Sequence, residues 1–207
     1  MASPMPKHPQ LRGNFAPLRM ECDAPDLIVH GEIPKELHGS YYRNGPDPQY
    51  APRGDHHWFA GDGMIHGFHF EDGRCSYLNR WVRTKKWELE HDAGEALFDP
   101  FNPMNTDPSV AGVDSTLANT NIVWHGGKLL ALEEGHAPFE LDPKTLASLG
   151  EWTFGGADSL QDPGGDDQEE VGLILANTTP GTHVIPTPGT AALLGFAGLA
   201  ASRRRRA

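Results

Sequence analysis

From residue 64 to 70 the chain reads Met-Ile-His-Gly-Phe-His-Phe, broadly alternating apolar and polar, and Glu71-Asp72-Gly73-Arg74 then turns it back into residues 75–84. Period-2 alternation puts successive side chains on opposite faces of a strand. Asp-Gly between two such runs is a strong signal for a tight hairpin. The returning segment carries Tyr77, Trp81 and Val82, residue types that pack well on a pleated surface. A hairpin of this kind needs further strands, because two alone bury too little.

The same chemistry recurs along the chain. Residues 40–43 read as a strand, stopped by the turn residues Asn44-Gly45-Pro46. Residues 121–124, the turn His125-Gly126-Gly127-Lys128 and residues 129–132 give a second hairpin signal. Residues 138–141 form a third short strand, Asp142-Pro143-Lys144-Thr145 a turn, and residues 151–154 begin another strand. Pro34 opens one helical turn over Lys35-Glu36-Leu37, ended by Gly39. Residues 88–108 are a Pro/Asn/Asp-rich connection with no clear period. With 24 Gly and 18 Pro, the composition suits short strands and turns better than a helical bundle. The fold class expected is all-β, a meander or propeller blade rather than an α/β sheet.

The flanks differ from this body. Residues 1–21 are a Pro-rich arm, expected to be loose, without the apolar stretch of a secretory signal. Residues 157–183 read as a flexible, disordered linker, because residues 157–171 hold six acids and no base. Residues 184–207 contain Ile185-Pro186-Thr187-Pro188-Gly189, a small apolar run over residues 190–201, and four arginines from Arg203 to Arg206. That tail resembles the bacterial PEP-CTERM sorting signal and predicts a short apolar helix. As a helix the run spans only ~18 Å against a hydrocarbon core of ~30 Å. Membrane contact through residues 190–206 is one expectation, a cytoplasmic chain the other. The net charge is -11 at pH 7, and four of the 17 basic residues are the tail arginines Arg203 to Arg206, so the body is more acidic still, which excludes nucleic acid as its partner. Cys22 and Cys75 are too far apart for a metal finger; two reduced thiols are expected, with a single disulfide as the alternative.

Five motifs stand in order at strand-length spacing: Tyr41-Tyr42-Arg43-Asn44-Gly45-Pro46, then His57-Trp58-Phe59-Ala60-Gly61-Asp62-Gly63-Met64-Ile65-His66, then Asn79-Arg80-Trp81-Val82-Arg83-Thr84, then Ala118-Asn119-Thr120-Asn121, and Leu130-Ala131-Leu132-Glu133-Glu134-Gly135. Over residues 22–156 the chain resembles the N-terminal part of the carotenoid cleavage oxygenase family. The resemblance implies a seven-bladed β-propeller with a non-haem Fe(II) on its axis, held by four histidines. It implies O2-dependent cleavage of a C=C bond in a carotenoid, apocarotenoid or stilbene, so a hydrophobic polyene or stilbene is the implied substrate. At ~40–50 residues per blade, residues 22–156 amount to a partial propeller of two to three blades. Its last blade face would stand open, which implies an exposed apolar patch and self-association.

Four neutral imidazoles leave open positions on Fe(II), and carboxylates behind them set the tautomers. The resemblance implies a first ligand in an Ala-His-Pro motif beyond Glu134, where this chain reads Asp162-Pro163-Gly164-Gly165-Asp166-Asp167. No catalytic residue or metal ligand is therefore assigned, and the chain alone is expected to bind no iron and to be inactive. Glu134 occupies the place of the family's glutamate that accepts from a ligating histidine. Here it would lack that partner, or be solvated beside Glu133. His56, His57, His66 and His69 suggest a metal cluster, but His66 and His69 face opposite sides of a strand. Asp62 and Gly63 are expected to make a tight turn, the glycine taking positive φ and the carboxylate capping backbone N–H groups. Arg43 and Asn44, with Gly45 and Pro46, are expected to fasten blade edges through hydrogen bonds to the backbone. No Ser/His/Asp triad, P-loop or dinucleotide fingerprint is present. Two other readings remain: a surface-anchored β-rich binding module, and half of a split enzyme.

Overall fold

The computed structural model describes residues 4–153, so the linker 157–183, the tail 184–207 and its apolar helix lie outside the described residues. The first sheet is built from β1 (Cys22–Ala24), β2 (Gly39–Asp47), β3 (Asp62–Glu71) and β4 (Arg74–Trp81). The second is built from β5 (Asn121–His125), β6 (Lys128–Leu132), β7 (Phe139–Leu141) and β8 (Ser148–Glu151). Both are antiparallel, in the orders β1-β4-β3-β2 and β5-β6-β7-β8. The fold is thus mostly β-sheet with little helix, as the period-2 pattern requires.

The hairpins form where the turn residues predict. Asp72 and Gly73 both take positive φ, 47° and 76°, between the paired residues Glu71 and Arg74. Gly126 and Gly127 do the same, at 56° and 79°, between His125 and Lys128. Two-residue loops with positive φ match the right-handed twist of the flanking strands.

Elsewhere tertiary context overrides the local signal. Asn44-Gly45-Pro46 does not stop the strand: β2 continues to Asp47, with Pro46 paired to Gly63 and Asp47 to Asp62. β2 is the edge of its sheet, where a residue without an N–H can sit. Asp62 and Gly63 make no turn and open β3 instead. Gly63 is needed for close approach, not for positive φ: its N–H donates to Leu117 O at 2.8 Å, and a Cβ there would collide with the Ala118 carbonyl.

The aperiodic connection contains a helix, α1 (Lys85–Ala93). Thr84 Oγ1 caps it by accepting from Trp87 N at 3.2 Å, and Gly94 ends it in the left-handed region at φ 74°. The last strand runs over Ser148–Glu151, three residues earlier than the sequence suggested, with a register shift at Glu140/Leu141.

The core lies between the sheets. Ile65, Leu78 and Val82 pack against Ile122, Leu129, Ala131, Phe139, Leu141 and Leu146. Each such side chain contributes ~1.5–3 kcal/mol on burial. The far face of the second sheet carries a smaller apolar cluster. Val123, Leu130 and Leu132 are 2%, 0% and 5% exposed, and Trp152 packs on them. The N-terminal arm is also held: it makes two 3-10 turns, Pro9–Leu11 and Gly13–Phe15, buries Leu11, and donates from Leu18 N to Asp47 Oδ2 at 3.0 Å. Cys22 and Cys75 are free thiols. Among the described residues no helix is long and apolar enough to cross a membrane.

Candidate functional site

A cavity of about 770 Å3 opens where β2 approaches the start of the second sheet. β2 brings Arg43, Asn44, Gly45 and Pro46 to it, and the segment after β6 brings Glu133 and Glu134. The first and fourth-to-fifth sequence motifs therefore meet at one place. Asp62 and Gly63 do not line it.

The cavity has an aromatic wall. Trp58 and Phe59 stand on the 3-10 turn Trp58–Ala60, with ring centroids 4.9 Å apart. His57 bridges Phe59 at 5.0 Å and Phe101 at 4.5 Å. Trp58, Phe59 and Phe101 are 42%, 51% and 56% exposed, so their faces are available to a ligand. Two buried asparagines stand behind the cavity, and one of them holds this wall. Asn119 Nδ2 donates to Phe59 O at 2.7 Å and to Gly61 O at 2.6 Å. Asn44 Nδ2 donates to Ala118 O at 2.8 Å and Asn121 O at 2.9 Å, joining β2 to β5. Arg43 makes no such backbone bond, and its guanidinium lies over Gly45.

The two glutamates differ. Glu134 is exposed and accepts from Thr120 Oγ1 at 2.9 Å. Glu133 is the engaged one. It accepts from Thr116 Oγ1 at 2.8 Å, Leu117 N at 2.5 Å and Ala118 N at 3.1 Å, and pairs with His136 Nδ1 at 3.4 Å. Burial alone would raise its carboxyl, but His136 and these donors outweigh it and hold the pKa below the usual range. The Glu133 hydrogen bond raises His136 in turn, against burial. The sequence pointed to Glu134 and missed Glu133, because adjacent residues face opposite ways and nothing local says which faces in.

A second feature was invisible in the sequence. Lys86 on α1 is 3% exposed; its Nζ lies 2.8 Å from Asp62 Oδ1 and 2.7 Å from Glu90 Oε2. Glu90 Oε1 accepts from Leu97 N at 2.9 Å and Phe98 N at 3.0 Å. Burial would depress the Lys86 ammonium, but the two carboxylates prevail and keep it above its ordinary value. Asp62 therefore answers a buried cation rather than capping a turn.

The histidines do not converge. His66 Nδ1 is 2.8 Å from Tyr77 Oη, and His69 Nδ1 is 2.6 Å from Ser40 Oγ on the other face of β3. Burial, with Arg43 nearby, pushes His66 down to about 4. His57 Nδ1 accepts from Phe59 N at 3.3 Å. Among the described residues no group of three or more His, Cys, Asp or Glu is placed to hold a metal ion. The described residues do not fit an iron held by four imidazoles.

A family model described as retinal pigment epithelial membrane protein, RPE65, matches residues 15–202, a longer span than the motifs cover. An isoeugenol monooxygenase of Pseudomonas nitroreducens is 47% identical over 149 residues, covering 72% of this chain and 31% of the relative. A lignostilbene-alpha,beta-dioxygenase (isozyme III) of Sphingomonas paucimobilis is 43% identical over 148 residues, covering 70% and 30%. The crystal structure of Pseudomonas brassicacearum lignostilbene dioxygenase superposes with a TM-score of 0.71 at 40% identity, covering 75% of this chain and 33% of that one. The chain thus spans about a third of the length of the relatives it matches.

Proposed function

Since the chain belongs to the carotenoid cleavage oxygenase family, whose model is described as retinal pigment epithelial membrane protein, we propose that its two four-stranded sheets are neighbouring blades of the family's propeller and that the aromatic cavity is its share of a pocket for a conjugated alkene. The reaction of the whole assembly is cleavage of one C=C bond by O2, each carbon leaving as a carbonyl. One observation carries this reading: residues 43–46, Trp58, Phe59, Phe101 and Glu134 line one cavity.

Within it the chain binds and orients. Flat conjugated ligands stack on Trp58, Phe59 and Phe101. Asn119 holds the turn that carries Trp58 and Phe59, Asn44 fastens β2 to the start of β5, and the apolar wall keeps water from the double bond. Arg43, Gly45 and Pro46 shape the mouth from the edge strand. Thr120 holds Glu134 as the carboxylate offered to an imidazole from elsewhere in the fold, the role implied by the resemblance. Asp62 and Gly63 act structurally, through Lys86 and through the close approach to residue 118. Because the relatives act on isoeugenol and lignostilbene by their names, an aryl alkene is the first substrate class to test, and a polyene the second. On this reading the isolated chain binds without cleaving, because residues 162–167 carry no Ala-His-Pro motif where the resemblance implies the first iron ligand. Contact of residues 190–206 with a membrane and self-association belong to the same proposal.

Titration with isoeugenol and with trans-stilbene, followed by tryptophan fluorescence, tests it. Saturable quenching is expected, lost in Phe59→Ala/Phe101→Ala, with no aldehyde above a protein-free control. Quenching that never saturates, or that survives the double substitution, overturns the pocket.

A further inference from the structure

Beside the aromatic cavity lies a second of about 350 Å3, which shares Arg43, Gly45, Pro46 and Trp58 with it. One face of the β2–β3 pair forms part of its lining. Arg43, Gly45 and Asp47 alternate onto the same face of β2, opposite His66, Met64 and Asp62. The N-terminal segment supplies the rest, including Gln10 and Phe15.

Its polar groups are incompletely matched. Asp47 is 8% exposed and His56 6%. Asp47 Oδ2 accepts from Leu18 N, yet Asp47 Oδ1, His56 Nδ1 and Gln10 Oε1 have no hydrogen-bond partner. Buried polar atoms are nearly always paired, so three orphans around one cavity point to an occupant. Arg43 has no hydrogen bond or ion pair with any described residue. Its guanidinium folds along the strand because residue 45 is glycine: a Cβ there would stand 3.3 Å from Arg43 Nη2. Phe15 and Trp58 meet edge to face at 5.5 Å on the apolar side.

The cavity therefore sets one cation and one carboxylate along a single strand, with a second acceptor and an aromatic pair beside them. A simple anion would meet Asp47, and a simple cation would meet Arg43. A molecule carrying both charges matches both. We propose that this cavity binds an α-amino acid with an aromatic side chain. The Arg43 fork donates to its carboxylate, its ammonium donates to Asp47 Oδ1 and Gln10 Oε1, and its ring lies against Phe15 and Trp58. Burial pushes Asp47 up to about 6, with Asp62 adding to this and Arg19 and two backbone donors opposing it. A bound ammonium would lower it, so binding near pH 6 releases protons; of the two histidines also in the cavity, burial pushes His66 down to about 4 and lowers His56, with His8 and His57 adding to this.

Calorimetry on the full chain tests this with L-phenylalanine, 3-phenylpropanoate, which lacks the ammonium, and phenethylamine, which lacks the carboxylate. Saturable one-to-one binding of phenylalanine is expected, with each analogue weaker by about tenfold or more. Arg43→Ala should lose it while keeping the circular dichroism of the parent, and buffers of differing ionisation heat at pH 6 should report proton release. Equal binding of all three compounds, which would mean that neither charge is recognised, or none that saturates, would overturn the proposal. The ligand series is read on the unaltered chain, so it does not depend on any variant folding.

Discussion

Asn119 donates both of its amide hydrogens to the turn that carries the aromatic wall, at 2.7 Å to the Phe59 carbonyl and 2.6 Å to that of Gly61. The side chain is 6% exposed, so these bonds are shielded from water. Asn119→Ala removes both donors and leaves two carbonyls unpaired, which costs about 1–3 kcal/mol for each that stays buried. The expected result is a drop in thermal midpoint together with loss of saturable stilbene quenching. Asn119→Ala/Phe59→Ala should bind no worse than Phe59→Ala alone. Strictly additive losses would show that Asn119 does not act through the turn.

Lys86 should be among the least replaceable polar residues. Lys86→Ala leaves Asp62 and Glu90 facing each other without a cation, and breaking a buried pair from one side costs about 3–5 kcal/mol. Urea unfolding should show that loss. Lys86→Met with Asp62→Asn and Glu90→Gln should recover part of it, since no net charge is then stranded.

Asp47 predicts a pH dependence. Its carboxyl is raised from 3.8 to about 6, chiefly by burial. A raised folded-state pKa contributes stability that is complete below the unfolded value and disappears as pH rises through the folded one. The window is therefore about pH 4 to 6, and the effect is on the order of 3 kcal/mol. Asp47→Asn should be more stable than the parent at pH 7.5 and lose that advantage by pH 4. His66, lowered to about 4, works in the other direction: its contribution is present above its ordinary value and is lost as pH falls through about 4. Denaturation at pH 7.5, 5 and 4 separates the two, and an Asp47→Asn advantage that persists at pH 4 would contradict the assignment.

Gly63→Ala should be worse than a usual glycine-to-alanine change in a strand. The new methyl would meet the Ala118 carbonyl, a backbone atom that cannot swing away. A loss of more than about 2 kcal/mol is expected from overpacking. By contrast Gly135→Ala, with open space around its Cβ position, should change stability little.

Local chemistry decided the two hairpins, because Asp72-Gly73 and Gly126-Gly127 reach positive φ at little cost whatever surrounds them. The motif order also carried the family and the mostly-β class, since both follow from runs of residues that need no partner to be read. The sequence could not say that Asn44-Gly45-Pro46 is strand rather than turn. That depends on β2 lying at an edge, where proline's missing donor leaves no gap in the ladder. Nor could it show that Lys86 and Asp62, 24 positions apart, form one buried pair, or that Glu133 and not Glu134 turns inward. Those outcomes rest on contacts across long stretches of chain. Helix α1 illustrates the difference: its Thr84 cap and Gly94 stop are local and readable, but what it buries is set by the sheet against which it packs.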